Sequence, residues 1–229
     1  MITAAALCPA PPLLARELTG GDPVLPEVRD ACQAAVAALL RTRPEVIAVV
    51  GPAEQTGSFD GASRLDLGIY APAVGHGGTA GLPSSVGLGA LLLDQAGYTG
   101  RRLLQAAGQD ESASGCAVLG AELARLPERT ALLVMADGSA RRSRRAPGAL
   151  DERSAGFDAA VEQAVRSADM AALGQVDRAQ ARQLMATGWP SWQVLARALE
   201  ETRLAAEVLY ADAPFGVGYL VAVLLVAAA

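Results

Sequence analysis

Five consecutive apolar residues, Val46 to Val50, run without a polar break into Gly51-Pro52, and this feature limits the fold most. A strand with one face in water would alternate apolar and polar side chains, so an unbroken run implies burial on both faces, as in the parallel sheet of an α/β protein. Two further runs behave alike. Ile2 to Leu7 stops at Cys8-Pro9-Ala10-Pro11-Pro12, and Thr130 to Met135 enters Ala136-Asp137-Gly138-Ser139. Between the first two strands, Val28, Ala31, Ala35, Val36, Leu39 and Leu40 recur at helical spacing over Leu25 to Leu40, with Pro26 tolerated in the first turn. A strand, a loop, a helix and a strand in that order predict a parallel crossover.

Further along, Arg64 to Tyr70 alternates as a peripheral strand would, and Pro72 to Gly81 is a glycine-rich loop carrying His76. Pro83-Ser84-Ser85 is expected to cap a helix reaching Gln95 and ended by Gly97, before a strand at Arg101 to Ala107. Helices are expected over Asp110 to Leu126, Asp151 to Ser167, Arg178 to Ala186 and Ser191 to Glu200. Strands at Ala206 to Tyr210 and Gly218 to Val226 complete the pattern. With no repeat, linker or change of composition, residues 1 to 229 read as one α/β domain. Its three layers would be a central sheet, mostly parallel or mixed, flanked by helices.

Absent residue types exclude more chemistry than the present ones suggest. All 19 basic residues are arginine, so Walker-A phosphate binding and lysine Schiff bases are out. A single histidine, His76, rules out a metal site built on two imidazoles of one chain. No metal and no other cofactor is therefore expected. A net charge of −5 argues against nucleic acid as a partner. The apolar tail from Tyr219 falls far short of the ~20 residues that span a bilayer. The uncharged start lacks the basic region of a secretory signal, and bulky Leu7 is wrong for a lipoprotein cleavage site. Cys8, Cys32 and Cys116 form no paired framework, so the expected compartment is the cytoplasm.

In open α/β sheets ligands bind beyond the carboxyl ends of the strands. The three strongest strand ends offer mostly Ala, Pro and Gly, which leaves Cys8, Asp137, Ser139 and Arg141 as the reactive groups. Asp137 and Ser139 suit a turn as well as a site. Cys8 reads first as a buried, inert thiol and only second as a nucleophile, and His76 first as an idle loop residue and second as a base or substrate clamp. Arg141, Arg142, Arg144 and Arg145 place four guanidinium groups within five residues, a pattern fit for phosphate or carboxylate, or for a solvated loop paired with Asp151 and Glu152. Trp189 and Trp192 beside Pro190 are expected to staple a helix to the core.

The order of these strand ends resembles the class III extradiol ring-cleavage dioxygenases, the LigB-like proteins. Ala5-Ala6-Leu7-Cys8-Pro9-Ala10-Pro11-Pro12-Leu13-Leu14 is similar to that family's opening strand, where a histidine beside the prolines binds ferrous iron. Gly51-Pro52-Ala53 stands where a second iron-binding histidine would end the next strand, and Ala136-Asp137-Gly138-Ser139-Ala140 where an acid–base histidine would follow. Ala146-Pro147-Gly148-Ala149-Leu150-Asp151, then Phe157-Asp158, and the tail Asp212-Ala213-Pro214-Phe215-Gly216-Val217-Gly218-Tyr219 also look like the family. The resemblance implies a LigB-like fold. It implies an iron glutamate near Ala186 to Ser191, where this chain has no carboxylate. Alanine has no lone pair to offer, so the resemblance implies a member that has lost iron and ring cleavage.

Three functions follow as expectations. In the first, the old cleft binds a small anionic ligand or a protein partner, with Cys8, Arg141 and Arg142 as contacts. In the second, a metal-free enzyme reuses the cleft through Asp137, Ser139, His76 and Arg141. In the third, the chain is a structural subunit of an oligomer.

Overall fold

The computed structural model describes residues 1–20, 24–73 and 78–227. Seven strands form one sheet in the order β3-β4-β2-β5-β1-β7-β6. Here β1 is Ile2–Cys8, β2 Val46–Ala53, β3 Gly57–Phe59, β4 Arg101–Gly108, β5 Thr130–Met135, β6 Leu204–Asp212 and β7 Tyr219–Val226. The four central strands β4, β2, β5 and β1 are parallel, and β3, β7 and β6 complete the sheet through antiparallel pairing. The sheet is therefore mixed around a parallel core.

The helices are α1 (Pro26–Arg41), α2 (Ser84–Gln95), α3 (Ala113–Ala124), α4 (Arg153–Arg166), α5 (Met170–Gly174), α6 (Arg178–Gln183) and α7 (Trp189–Ala198). Alternation along β1, β2 and β5 explains why their sequences carry no polar residue beyond Thr3 and Thr130 near the strand starts. Ala4, Ala6 and Cys8 of β1, Ile47 and Val49 of β2, and Leu133 and Met135 of β5 pack under α1 and α2. Ala5 and Leu7, Ala48 and Val50, and Leu132 and Val134 pack on the other face with α4 and α7. Both faces are covered, so neither set can be polar. The three layers are α1 and α2, the sheet, and the remaining helices.

The differences from expectation have local causes. Arg64 to Tyr70 is not a strand: the Asp66 carboxylate accepts the Gly68 N–H (2.9 Å), starting a 3₁₀ turn at Leu67–Ile69. The sheet edge there is taken by the three-residue β3, too short to leave a sequence signal. Neither Ser84 nor Ser85 caps α2; its N-cap is Pro83, and the Ser85 hydroxyl donates to Pro52 O (2.6 Å). Ser112 does cap α3, accepting the Gly115 N–H (3.0 Å). Trp189 and Trp192 are buried in the core, as the staple reading expects. Among the described residues no helix is long and apolar enough to cross a membrane.

Candidate ligand-binding cleft

The parallel strands β1, β2, β4 and β5 end on one edge of the sheet, and a cleft of about 840 Å³ opens there. Ala10 follows β1, Ala53 ends β2, Gln109 follows β4 and Asp137 follows β5; all four line the cleft. The start of α2 and Thr187, just before α7, form opposite walls. Two glycines permit this approach. A Cβ on Gly51 would sit 2.5 Å from Ser85 Oγ, and one on Gly188 would sit 2.7 Å from Asp137 O. Much of the polar wall is already engaged. Gln109 Nε2 donates to Thr187 O (2.7 Å), Arg178 Nη2 donates to Gln109 O (2.9 Å), and Thr56 Oγ1 donates to Glu111 Oε2 (2.8 Å).

Asp137 is the ionisable group on the floor. The Ala10 N–H donates to its Oδ1 (2.8 Å), and no other hydrogen bond reaches its carboxyl among the described residues. Protein encloses the group except toward the cleft, and that burial pushes its pKa up to about 6, with the Ala10 N–H pulling weakly the other way. Glu54 and Gln55 lie on the rim, and no arginine is among the described lining residues.

Other residues singled out from the sequence are placed elsewhere. Ser139 is fully buried and clamped: its N–H donates to Asp158 Oδ1 (2.8 Å) and its hydroxyl to Asp158 Oδ2 (2.7 Å). Arg142 Nη1 donates to the same Oδ2 (3.1 Å). These three residues tie the turn after β5 to α4, beside a separate hollow of about 150 Å³ lined by Gly138, Arg142, Asp158 and Trp192. Arg141 lies 4.0 Å from Asp151, a carboxylate that Arg153 also grips and holds down at about 2. Arg144 and Arg145 are exposed, with no carboxylate within 4.0 Å among the described residues. The cleft thus receives none of the four arginines, and an anion seated in it would meet no guanidinium among its described walls.

Cys8 is buried on the α1 side of the sheet. It hydrogen-bonds Cys32, whose thiol is pushed well up by that bond and by burial. His76 lies outside the described residues. The strand ends therefore bring together Ala10, Ala53 and Asp137, but not Ser139, Cys8 or the arginines.

Gln109, Thr187 and Glu54 escaped sequence reasoning. Gln109 follows β4, so the carboxyl-end rule would have found it had it been applied to that strand too, and Glu54 lies one residue past the β2 end that was considered. Thr187 sits between two helices and left no signal.

No family model matches the chain, and no curated protein does. Among solved structures, the chain is similar to the uncharacterized protein JW3007 from Escherichia coli K12, with a TM-score of 0.54 at 15% identity. The match covers 97% of this chain and 99% of that one, so the two share a fold over essentially their whole length.

Proposed function

We propose that the chain is a LigB-like relative of the class III extradiol dioxygenases in which the iron centre has given way to a metal-free cleft for a small polar molecule. The observation that carries this reading is the meeting in one cleft of Ala10 and Ala53, at the two strand ends where the resemblance calls for iron-binding histidines, with Asp137, three residues before the Ala140 that stands for the acid–base histidine. Those residues do not fit the metal. A facial iron site takes two imidazoles and a carboxylate; this cleft offers two methyl groups, and its floor carboxyl already accepts the Ala10 N–H. Among the described residues, no three His, Cys, Asp or Glu side chains stand close enough to hold a metal ion. A reducing compartment such as the cytoplasm suits the free Cys8, Cys32 and Cys116.

The test is to load the purified chain with ferrous iron anaerobically, measure bound metal, and assay ring opening of catechol and protocatechuate. The expected result is metal well below one equivalent and turnover no faster than free iron. Stoichiometric iron with ring opening overturns the reading.

A second reading, a metal-free enzyme in the same cleft, is favoured by Asp137. A carboxyl with a pKa of about 6 takes and returns protons efficiently near neutral pH. In that enzyme Asp137 is the acid–base group, and Ser139 and Arg142 hold the turn that presents it.

A further inference from the structure

The floor and rim of the cleft carry the same sign of charge. Asp137 is half-buried on the floor and Glu54 is exposed at the rim, and neither forms an ion pair among the described residues. A carboxylate taken out of water is costly unless a cation or several donors meet it, and here a single N–H does. Among the described residues no cation meets it. Phe59, Ile69 and Leu82 give the same cleft an apolar wall, and Ile69 is 61% exposed.

We propose that the cleft takes a small organic cation, a primary ammonium on an apolar body, with the ammonium seated against Asp137 and the body lying along Phe59, Ile69 and Leu82. This rests on reading the cleft as a metal-free ligand site. A bare metal ion is a poor occupant, because one carboxylate supplies too few donors. A carboxylate or phosphate is worse, because it would face two acidic side chains and no guanidinium. An ammonium brings three donors to a floor that presents acceptors.

Binding is then coupled to protons. Burial raises Asp137 to about 6, so below that pH the carboxyl is protonated and cannot pair with an ammonium. Affinity rises with pH through this region and levels off until the amine loses its own proton, near ~10 for an alkylamine. Other groups face Asp137 from neighbouring elements: Cys32 on α1, itself bonded to Cys8 of β1, and Tyr219 on β7. The neighbouring Cys8 thiol and burial raise Cys32, and burial raises Tyr219, so they stay neutral throughout the window. Glu54 at the rim adds negative charge without burial.

The experiment is titration calorimetry of the full chain with benzylamine, hexylamine, benzyl alcohol and benzoate across the range pH 5 to 8. Both amines are expected to bind, benzylamine about tenfold or more tighter than the alcohol or benzoate at the upper end. One unit below the Asp137 midpoint the amine affinity should be about tenfold under its plateau. Asp137→Asn should weaken benzylamine about tenfold and flatten its pH dependence, with an unchanged or higher melting temperature showing that the variant is folded. Because imidazole titrates in the same range, His76→Asn is the control, and the midpoint should survive it. Benzoate or benzyl alcohol binding as tightly as benzylamine, indifference to Asp137→Asn, a midpoint that disappears with His76, or no binding by any of the four compounds overturns the proposal. Tight binding of the alcohol alone removes the cation and leaves the metal-free cleft standing; stoichiometric iron with ring opening removes the cleft reading itself.

Discussion

Two aspartates flank the turn that follows β5, and their surroundings are opposite. Asp158, on α4, receives three donors: the Ser139 N–H, the Ser139 hydroxyl and the Arg142 guanidinium. Asp137, on the cleft floor, is half-buried and receives one N–H, with no cation beside it among the described residues. The first carboxylate is fully used in holding the fold together. The second is held at a cost in solvation, and a fold has no structural need for that cost. The contrast separates a carboxylate spent on holding the turn from one that faces the cleft, although both meet the turn that follows β5.

The largest expected effect comes from removing the clamp. Asp158→Ala strands two Ser139 donors and a partly buried guanidinium and should cost about 3 kcal/mol, read from urea unfolding. If the loss is below ~1 kcal/mol, the clamp contributes no more than an ordinary surface pair and the contrast collapses.

Next, Asp137→Asn should stabilise the protein, because Asn still accepts the Ala10 N–H without a charge to desolvate. The carboxyl holds its proton more tightly in the folded chain, up to about 6, than in the unfolded chain, near ~4. Its contribution to stability is complete below the unfolded value and is lost as pH rises through 6. The variant should therefore match the wild type near pH 4 and exceed it by about 1–2 kcal/mol at pH 7, solvent in the cleft relieving part of the burial. Equilibrium unfolding across that range checks the sign; a variant less stable than wild type at pH 7 would make Asp137 a structural residue like Asp158.

The smallest effect is Ser139→Ala, about 1 kcal/mol for one hydroxyl donor, because the backbone N–H keeps its bond to Asp158. Its cleft should bind ligands as the wild type does. A change in ligand affinity beyond about threefold would mean that the clamp and the cleft are one unit.

The sequence made β1, β2 and β5 legible for the reason that they are buried: a strand covered on both faces carries few polar residues, here only Thr3 and Thr130 near the strand starts, and that leaves a nearly unbroken apolar run. β3 was invisible because three residues at an edge need no pattern. Arg64 to Tyr70 misled because alternation describes a possible strand face, while Asp66 offered the backbone a local alternative. In the site, the carboxyl-end rule found Asp137, Ala10 and Ala53. The sequence could not separate Asp137 from Ser139, two positions apart, because the partner that removes Ser139 from the cleft is Asp158, 19 residues further on. The arginine cluster failed similarly: Arg142 turns to Asp158, and Arg141 lies beside Asp151.

The placement of β1 at the centre of the sheet has a consequence for how the chain acquires its fold. Its neighbours are β5 and β7, so Ile2 meets Thr130, and Ala4 meets Leu225. During synthesis the most apolar early segment emerges with no strand to pair with, and its first partner appears only after well over a hundred residues have been made. Such distant pairing makes folding slow and leaves an unpaired apolar strand open to association with other chains in the meantime. The cleft inherits that delay. Its floor joins Ala10 to Asp137, so no ligand can find the site until β5 has docked beside β1, and a chain interrupted before that point holds half a binding site and an uncovered hydrophobic edge.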